Sequence, residues 1–262
     1  MSHPGGIVDW ILGARPRGSC GDPGVAAWDL PGPGEVWPSD LAVACPTGRA
    51  VWLRRRAGLA RVTPGMRAGS RSHEEALRMW RSALEGGFDG LLAEASRGIS
   101  GAGGLWAAGS AFRWLAAGRP VPVAVEPPVE GWAGYAGGRP DLVVGFYPVE
   151  LADTPRGSWY WERKRLVVAA YAMMVEAMVG HPVVAGYLVS LRDGSVERVC
   201  VDYRLRSQAL REAERLAAAL AGDPGLPAEG PQACPESCPF RAECWGASVD
   251  TQRGEARVGV EA

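Results

Sequence analysis

Three cysteines fall within eleven residues, in the run Cys234-Pro-Glu-Ser-Cys238-Pro-Phe-Arg-Ala-Glu-Cys244, while Cys20, Cys45 and Cys200 lie far upstream. No other feature limits the fold as much. The chain opens with no basic segment ahead of an apolar run, so a cytoplasmic location is expected, and crowded thiols there read as metal ligands rather than disulfides. Tetrahedral zinc and cubane iron–sulfur sites both take four ligands, so an upstream cysteine must join the three. Cys45, followed by Pro46 at the end of a short helix, is the first candidate. Cys20, in a Gly-rich stretch, is the second, and Cys200, within a strand, reads as plain core. Spacing alone does not separate zinc from iron–sulfur.

The rest of the composition sets the frame. A chain of 262 residues, 47% hydrophobic and 22% charged, suits one sizeable α/β domain with a small appendage, or two small domains. It excludes wholesale disorder. No run of eighteen uncharged apolar residues occurs, so no membrane span is expected. Asn is absent and Gln occurs three times, a scarcity of heat-labile amides that matches thermophile composition. Of 28 basic residues only Lys164 is lysine. Residues 49–82 carry nine Arg against two Glu, which leaves about −8 for the rest of a chain of net charge −1. That asymmetry predicts a basic face on an acidic body. On that face Arg54, Arg55 and Arg56 are candidate DNA phosphate contacts, with Trp52 able to stack on a base.

Periodicity and punctuation predict the elements. A short helix is expected around Ile7–Leu12, and another at Leu41–Cys45 with Ser39 and Asp40 as its N-cap. Helical spacing runs over residues 73–96, interrupted at Gly86-Gly87, and resumes over 105–117 after a Gly98–Gly104 loop. Strands are predicted at 121–125, 141–144, 147–150, 183–191 and 196–201, the last two joined at Asp193-Gly194. Long helices fill 159–179, ended by Gly180, and 204–221, stopped by Pro224 and Pro227.

Asp141 opens one predicted strand and Glu150 closes the next, so a hairpin brings both carboxylates to one end of a sheet. Paired carboxylates suit Mg²⁺ or Mn²⁺, which take oxygen ligands and keep waters for a phosphate substrate. Lys164 lies seven residues before Tyr171, two helical turns, and shares its face.

The order of these parts carries a resemblance. Ser39-Asp-Leu-Ala-Val-Ala-Cys45-Pro-Thr-Gly-Arg, Gly69-Ser-Arg-Ser-His73-Glu, Gly138-Arg-Pro-Asp141, Pro148-Val-Glu150, Ala170-Tyr171-Ala-Met and Gly225-Leu-Pro with the three late cysteines together resemble the RecB-type nucleases of the PD-(D/E)XK superfamily. More narrowly they resemble the CRISPR adaptation nucleases of Cas family four, and in detail their archaeal type I-A paralogue. The likeness spans roughly residues 28–246. It implies a restriction-endonuclease-like mixed sheet flanked by helices. It further implies an iron–sulfur cluster, 4Fe–4S ahead of 2Fe–2S, on Cys45, Cys234, Cys238 and Cys244. His73, Asp141 and Glu150 would hold Mg or Mn, with Lys164 and Tyr171 catalytic. Implied partners are single-stranded DNA, or DNA with single-stranded ends, and the CRISPR integrase with other adaptation proteins.

Two positions depart from the family pattern. Its Glu-x-Lys reads Glu150-Leu151-Ala152 here, and Val167 stands where Gln is wanted four residues before Tyr171. Lys164 is placed to replace the missing amine from the helix. The expected organisation is an extension over 1–39, a helical region with the first cluster ligand over 40–120, a nuclease core over 121–222, an iron–sulfur segment over 223–246 and a disordered tail over 247–262. The expected function is a metal-dependent DNA exonuclease of spacer acquisition. The alternatives are a catalytically silent iron–sulfur DNA-binding or scaffold subunit, or a repair nuclease of the same superfamily.

Overall fold

The computed structural model describes Cys20, residues 34–98, 122–222, 224–236 and 238–245, together with Gly109, Ala111, Trp114, Leu115 and Arg119. The expectations for Ile7–Leu12, for the Gly98–Gly104 loop and for the tail lie outside these residues, apart from helical Gly98 itself. Five strands form one sheet in chain order: β1 (Ala124–Val125), β2 (Leu142–Val144), β3 (Tyr147–Ala152), β4 (Ala185–Ser190) and β5 (Val196–Cys200). Neighbours are antiparallel except β3 and β4, which run parallel. Parallel neighbours need a crossover, and the long helix Trp159–Val179 supplies it. The sheet is therefore mixed and helix-flanked, as anticipated.

Among the described residues the helices with both ends defined are α1 (Arg49–Arg55), α2 (Pro64–Gly98), α3 (Trp159–Val179), α4 (Tyr203–Ala221) and α5 (Arg241–Trp245). α3 begins and ends where its sequence dictates. Ser158 accepts a hydrogen bond from the Trp161 amide, and Gly180 closes the helix at φ 68°, a left-handed cap that glycine adopts without strain. α3 is apolar on nearly every side because it lies between the sheet and α4, with Leu166 to Val175 buried without a break. α2 starts nine residues before its predicted onset and continues through the glycine pair, with Gly87 non-helical at φ 60°. The predicted interruption is thus a kink.

Strand alternation divides the core. Leu142, Val144, Val149 and Leu151 pack with Trp80 and Leu91 of α2, whereas Ala152 and Leu188 face the α3–α4 layer. In that layer Glu176 and Arg206 form a buried ion pair, 2.6 Å at its shorter contact, and Glu176 also accepts from the Val183 amide. The guanidinium also donates to the Val183 and Val201 carbonyls, so the buried charges are paired and further hydrogen-bonded.

Three sequence expectations need correction. Asp40 does not cap a helix at 41–45. It lies inside a 3-10 turn, Pro38–Ala42, where it accepts from the Trp37 amide. Cys200 is not plain core and Cys20 is not a spare cluster ligand: the two form a disulfide that ties residue 20 to the end of β5. Of the strand expected over 121–125, only Ala124–Val125 form it among the described residues 122–125. Among the described residues, no helix is long and apolar enough to cross a membrane.

Candidate active site

Leu142 pairs with Val149 across the β2–β3 hairpin. One step along that register puts Asp141 opposite Glu150, and alternation puts both on the face opposite Leu142 and Val149, the α3 side of the sheet. Both are buried. Asp141 accepts from the Leu151 amide at 2.7 Å, and His73 of α2 approaches its other oxygen at 2.9 Å. Lys164, in the second turn of α3, contacts Glu150 at 2.6 Å. The hydroxyl of Tyr171 donates to the Arg139 carbonyl at 3.0 Å. A Cβ at Gly138 would stand 2.9 Å from that hydroxyl, so glycine there lets the phenol hold the turn leading into Asp141. His73, Asp141, Glu150, Lys164 and Tyr171 therefore gather at one end of the sheet.

The electrostatics set the two carboxylates apart. Burial alone would raise Asp141, but the charge and hydrogen bond of His73, with Lys164 and the Leu151 amide, hold it below the usual carboxylate range. Burial first, and then repulsion from Asp141, push Glu150 up to about 7 against the pull of Lys164. Burial disfavours the ammonium of Lys164, yet Glu150, Tyr160 and Asp141 outweigh it and raise its pKa. Burial also opposes the charged form of His73, and Asp141 overcomes it, raising the imidazole. Tyr171 is raised by burial and by both carboxylates. Its phenol is thus neutral and acts as a hydrogen-bond donor.

The four remaining cysteines are free thiols, with Cys45 and Cys234 buried. Cys45, Ala50, Leu53 and Phe240 form a small core against which Cys238 and Cys244 pack. Cys238 is raised by burial and then by the charges of Cys45, Cys234 and Cys244, so all four lie within electrostatic reach. The Ala50 amide points at the Cys45 sulfur, 3.4 Å away, as suits a thiolate ligand. Among the described residues, no three His, Cys, Asp or Glu side chains surround a point where one ion could be held.

This cysteine pole is fastened to the carboxylate–lysine side by Glu212 of α4. Glu212 binds Arg163 of α3 and Arg215, and Arg215 donates on to the Pro46 carbonyl at 2.9 Å. Burial works against the charged carboxyl, but Arg215 and Arg163 hold it down at about 2. A depressed carboxylate adds stability above its unfolded value of 4.5, and that stability is lost as pH falls through about 2. Glu212→Gln is therefore expected to unfold more easily at pH 7, by about 2 kcal/mol. Denaturant melts at pH 7 and pH 3 should show the gap shrinking at the lower pH.

The arginine triad is not a free basic face. Arg54 and Arg55 both pair with buried Asp40, and Arg56 pairs with Glu35 and the Leu220 carbonyl. Arg55 also lies over Trp37, and Arg49 over Trp52. Charge counting saw the cluster but not its partners, because Asp40 sits fourteen residues upstream in a region read as a cap. The sequence reading also missed Tyr160, one turn before Lys164, whose only signal was its spacing.

Residues 108–247, just over half of the chain, match the family of CRISPR-associated exonuclease Csa1. The chain belongs to this family. The matched segment includes Asp141, Glu150, Lys164, Tyr171 and the three late cysteines, and leaves out His73 and Cys45. A search of curated proteins finds no match.

Proposed function

We propose that this chain is a divalent-metal-dependent exonuclease acting on single-stranded DNA in CRISPR spacer acquisition, with an iron–sulfur cluster at its cysteine pole. The observation that carries the reading is the pair Asp141 and Glu150, opposed across the hairpin with the only lysine bonded to Glu150. A carboxylate raised to about 7 beside a second, ionised one marks a site short of positive charge, and its oxygen donors suit a hard cation. Asp141 and Glu150 would hold Mg²⁺ or Mn²⁺, which supplies Lewis acidity and an activated water; His73 is their close neighbour, bonded to Asp141, and among the described residues it does not close a three-ligand cage with them. His73 and the Leu151 amide fix the Asp141 carboxylate. Lys164 carries a positive charge to where negative charge grows on the scissile phosphate. Tyr171 anchors the Arg139 backbone and so the approach of Asp141. Lys164 thereby stands in for the lysine absent at Ala152.

The four thiols share one pole, within electrostatic reach of one another, as ligands of one centre must. The family resemblance, and not their spacing, favours an iron–sulfur cluster over zinc. Working partners are DNA and the CRISPR integrase in the cytoplasm. Ala152, buried where the family pattern places its lysine, is the observation favouring a silent scaffold instead. Titrating Mn²⁺ against cleavage of a labelled single strand tests the reading. Cutting that rises with metal and fails in Glu150→Gln supports it, and metal-independent cutting overturns it.

A further inference from the structure

Trp159 opens α3 five residues before Lys164, yet it is 51% exposed. Trp161, two positions on, is wholly buried and donates its indole N–H to Glu197. Packing explains Trp161 and leaves Trp159 without an internal role. The Trp159 ring meets Tyr160 edge-on, with centroids 5.7 Å apart. Tyr160 lies one helical turn before Lys164 and acts electrostatically on its ammonium. The exposed indole is therefore joined through Tyr160 to the turn of α3 that carries Lys164. The cations of the surrounding segment are all ion-paired, Arg156 and Arg165 with Glu197, Arg165 also with Glu162, Arg163 with Glu212 and Lys164 with Glu150, so the indole is the part of this turn left open to a ligand. An open aromatic face matches the flat face of a nucleobase.

We propose that Trp159, supported by Tyr160, is a stacking platform for an unpaired nucleobase beside the scissile phosphate, and that it makes the site selective for single strands. The proposal rests on the nuclease reading above. Inside a duplex each base is covered on both faces by its neighbours, so away from the ends the indole has nothing to stack on. An unstacked base offers a free face. Selection thus follows from the substrate having an uncovered base where Lys164 draws in its phosphate.

The test reads binding apart from cutting. Fluorescence anisotropy without added divalent metal compares a labelled single strand, a covalently closed circular duplex and a strand with abasic positions at its end. Trp159→Ala should weaken binding of the intact strand by roughly 5- to 100-fold. It should leave the duplex and the abasic strand within about twofold, since neither offers a base to lose. Trp159→Phe should keep most of the affinity, which separates stacking from misfolding. Unchanged binding of the intact strand, or an equal loss on the abasic strand, overturns the platform. Cleavage with Mn²⁺ is scored separately: a wild-type protein that cuts nothing sinks the nuclease reading while the binding comparison still decides the platform.

Discussion

Replacing Lys164 with alanine is expected to slow metal-dependent cleavage of single-stranded DNA by roughly 10²-fold or more, without unfolding the protein. The amine touches Glu150 and acts on Asp141, so its loss removes positive charge where the transition state is most negative. Lys164→Arg keeps the charge, yet should still cost roughly 10²-fold, because a planar guanidinium cannot occupy the position of a compact ammonium. Steady-state rates on a labelled strand check both. The double variant Lys164→Ala with Ala152→Lys gives a sharper comparison. Ala152 is two residues beyond Glu150 on the same strand face and packs in the α3 layer, so a lysine there returns the amine from the sheet. Partial recovery supports migration of the lysine from strand to helix. Full activity in Lys164→Ala alone refutes it.

The second large effect concerns Cys45. A cluster joining it to Cys234 closes a loop of about 190 residues, worth roughly 3–5 kcal/mol on the chain-entropy reasoning used for disulfides. Cys45→Ala should bleach visible absorbance, lower solubility and reduce the melting temperature. Any of Cys234, Cys238 or Cys244 changed to Ala should do the same. Cys20→Ala should keep the colour, since Cys20 is engaged with Cys200. Visible spectra and metal analysis of the purified variants decide, and a colourless protein with stoichiometric zinc would contradict the cluster assignment.

Much of the frame was legible where a local rule acts alone. The ends of α3 follow from a serine N-cap and a glycine C-cap, and its observed span equals the predicted one. The hairpin pairing of Asp141 with Glu150 follows from strand alternation and a short turn. What escaped involves residues far apart in sequence. Cys20 and Cys200 are 180 residues apart, and nothing local to either announces the bond. Asp40 looked like a cap because Asp caps often, but two arginines of α1 draw it into a buried ion pair. The onset of α2 comes earlier than the periodicity predicts because residues 64–71 are almost all exposed and carry little apolar periodicity, though their backbone continues the helix. Within the site, Lys164 was placed by helical spacing, whereas the anchoring of Tyr171 on the Arg139 carbonyl required the folded turn.

The most direct measurement is cleavage of end-labelled single-stranded DNA in Mn²⁺ by the wild-type protein and by Asp141→Ala, both purified with their visible absorbance intact. The account predicts that the wild type shortens the strand and that Asp141→Ala, equally coloured and folded, leaves it whole. Equal cutting by both proteins, or no cutting by a coloured and folded wild type, would contradict it.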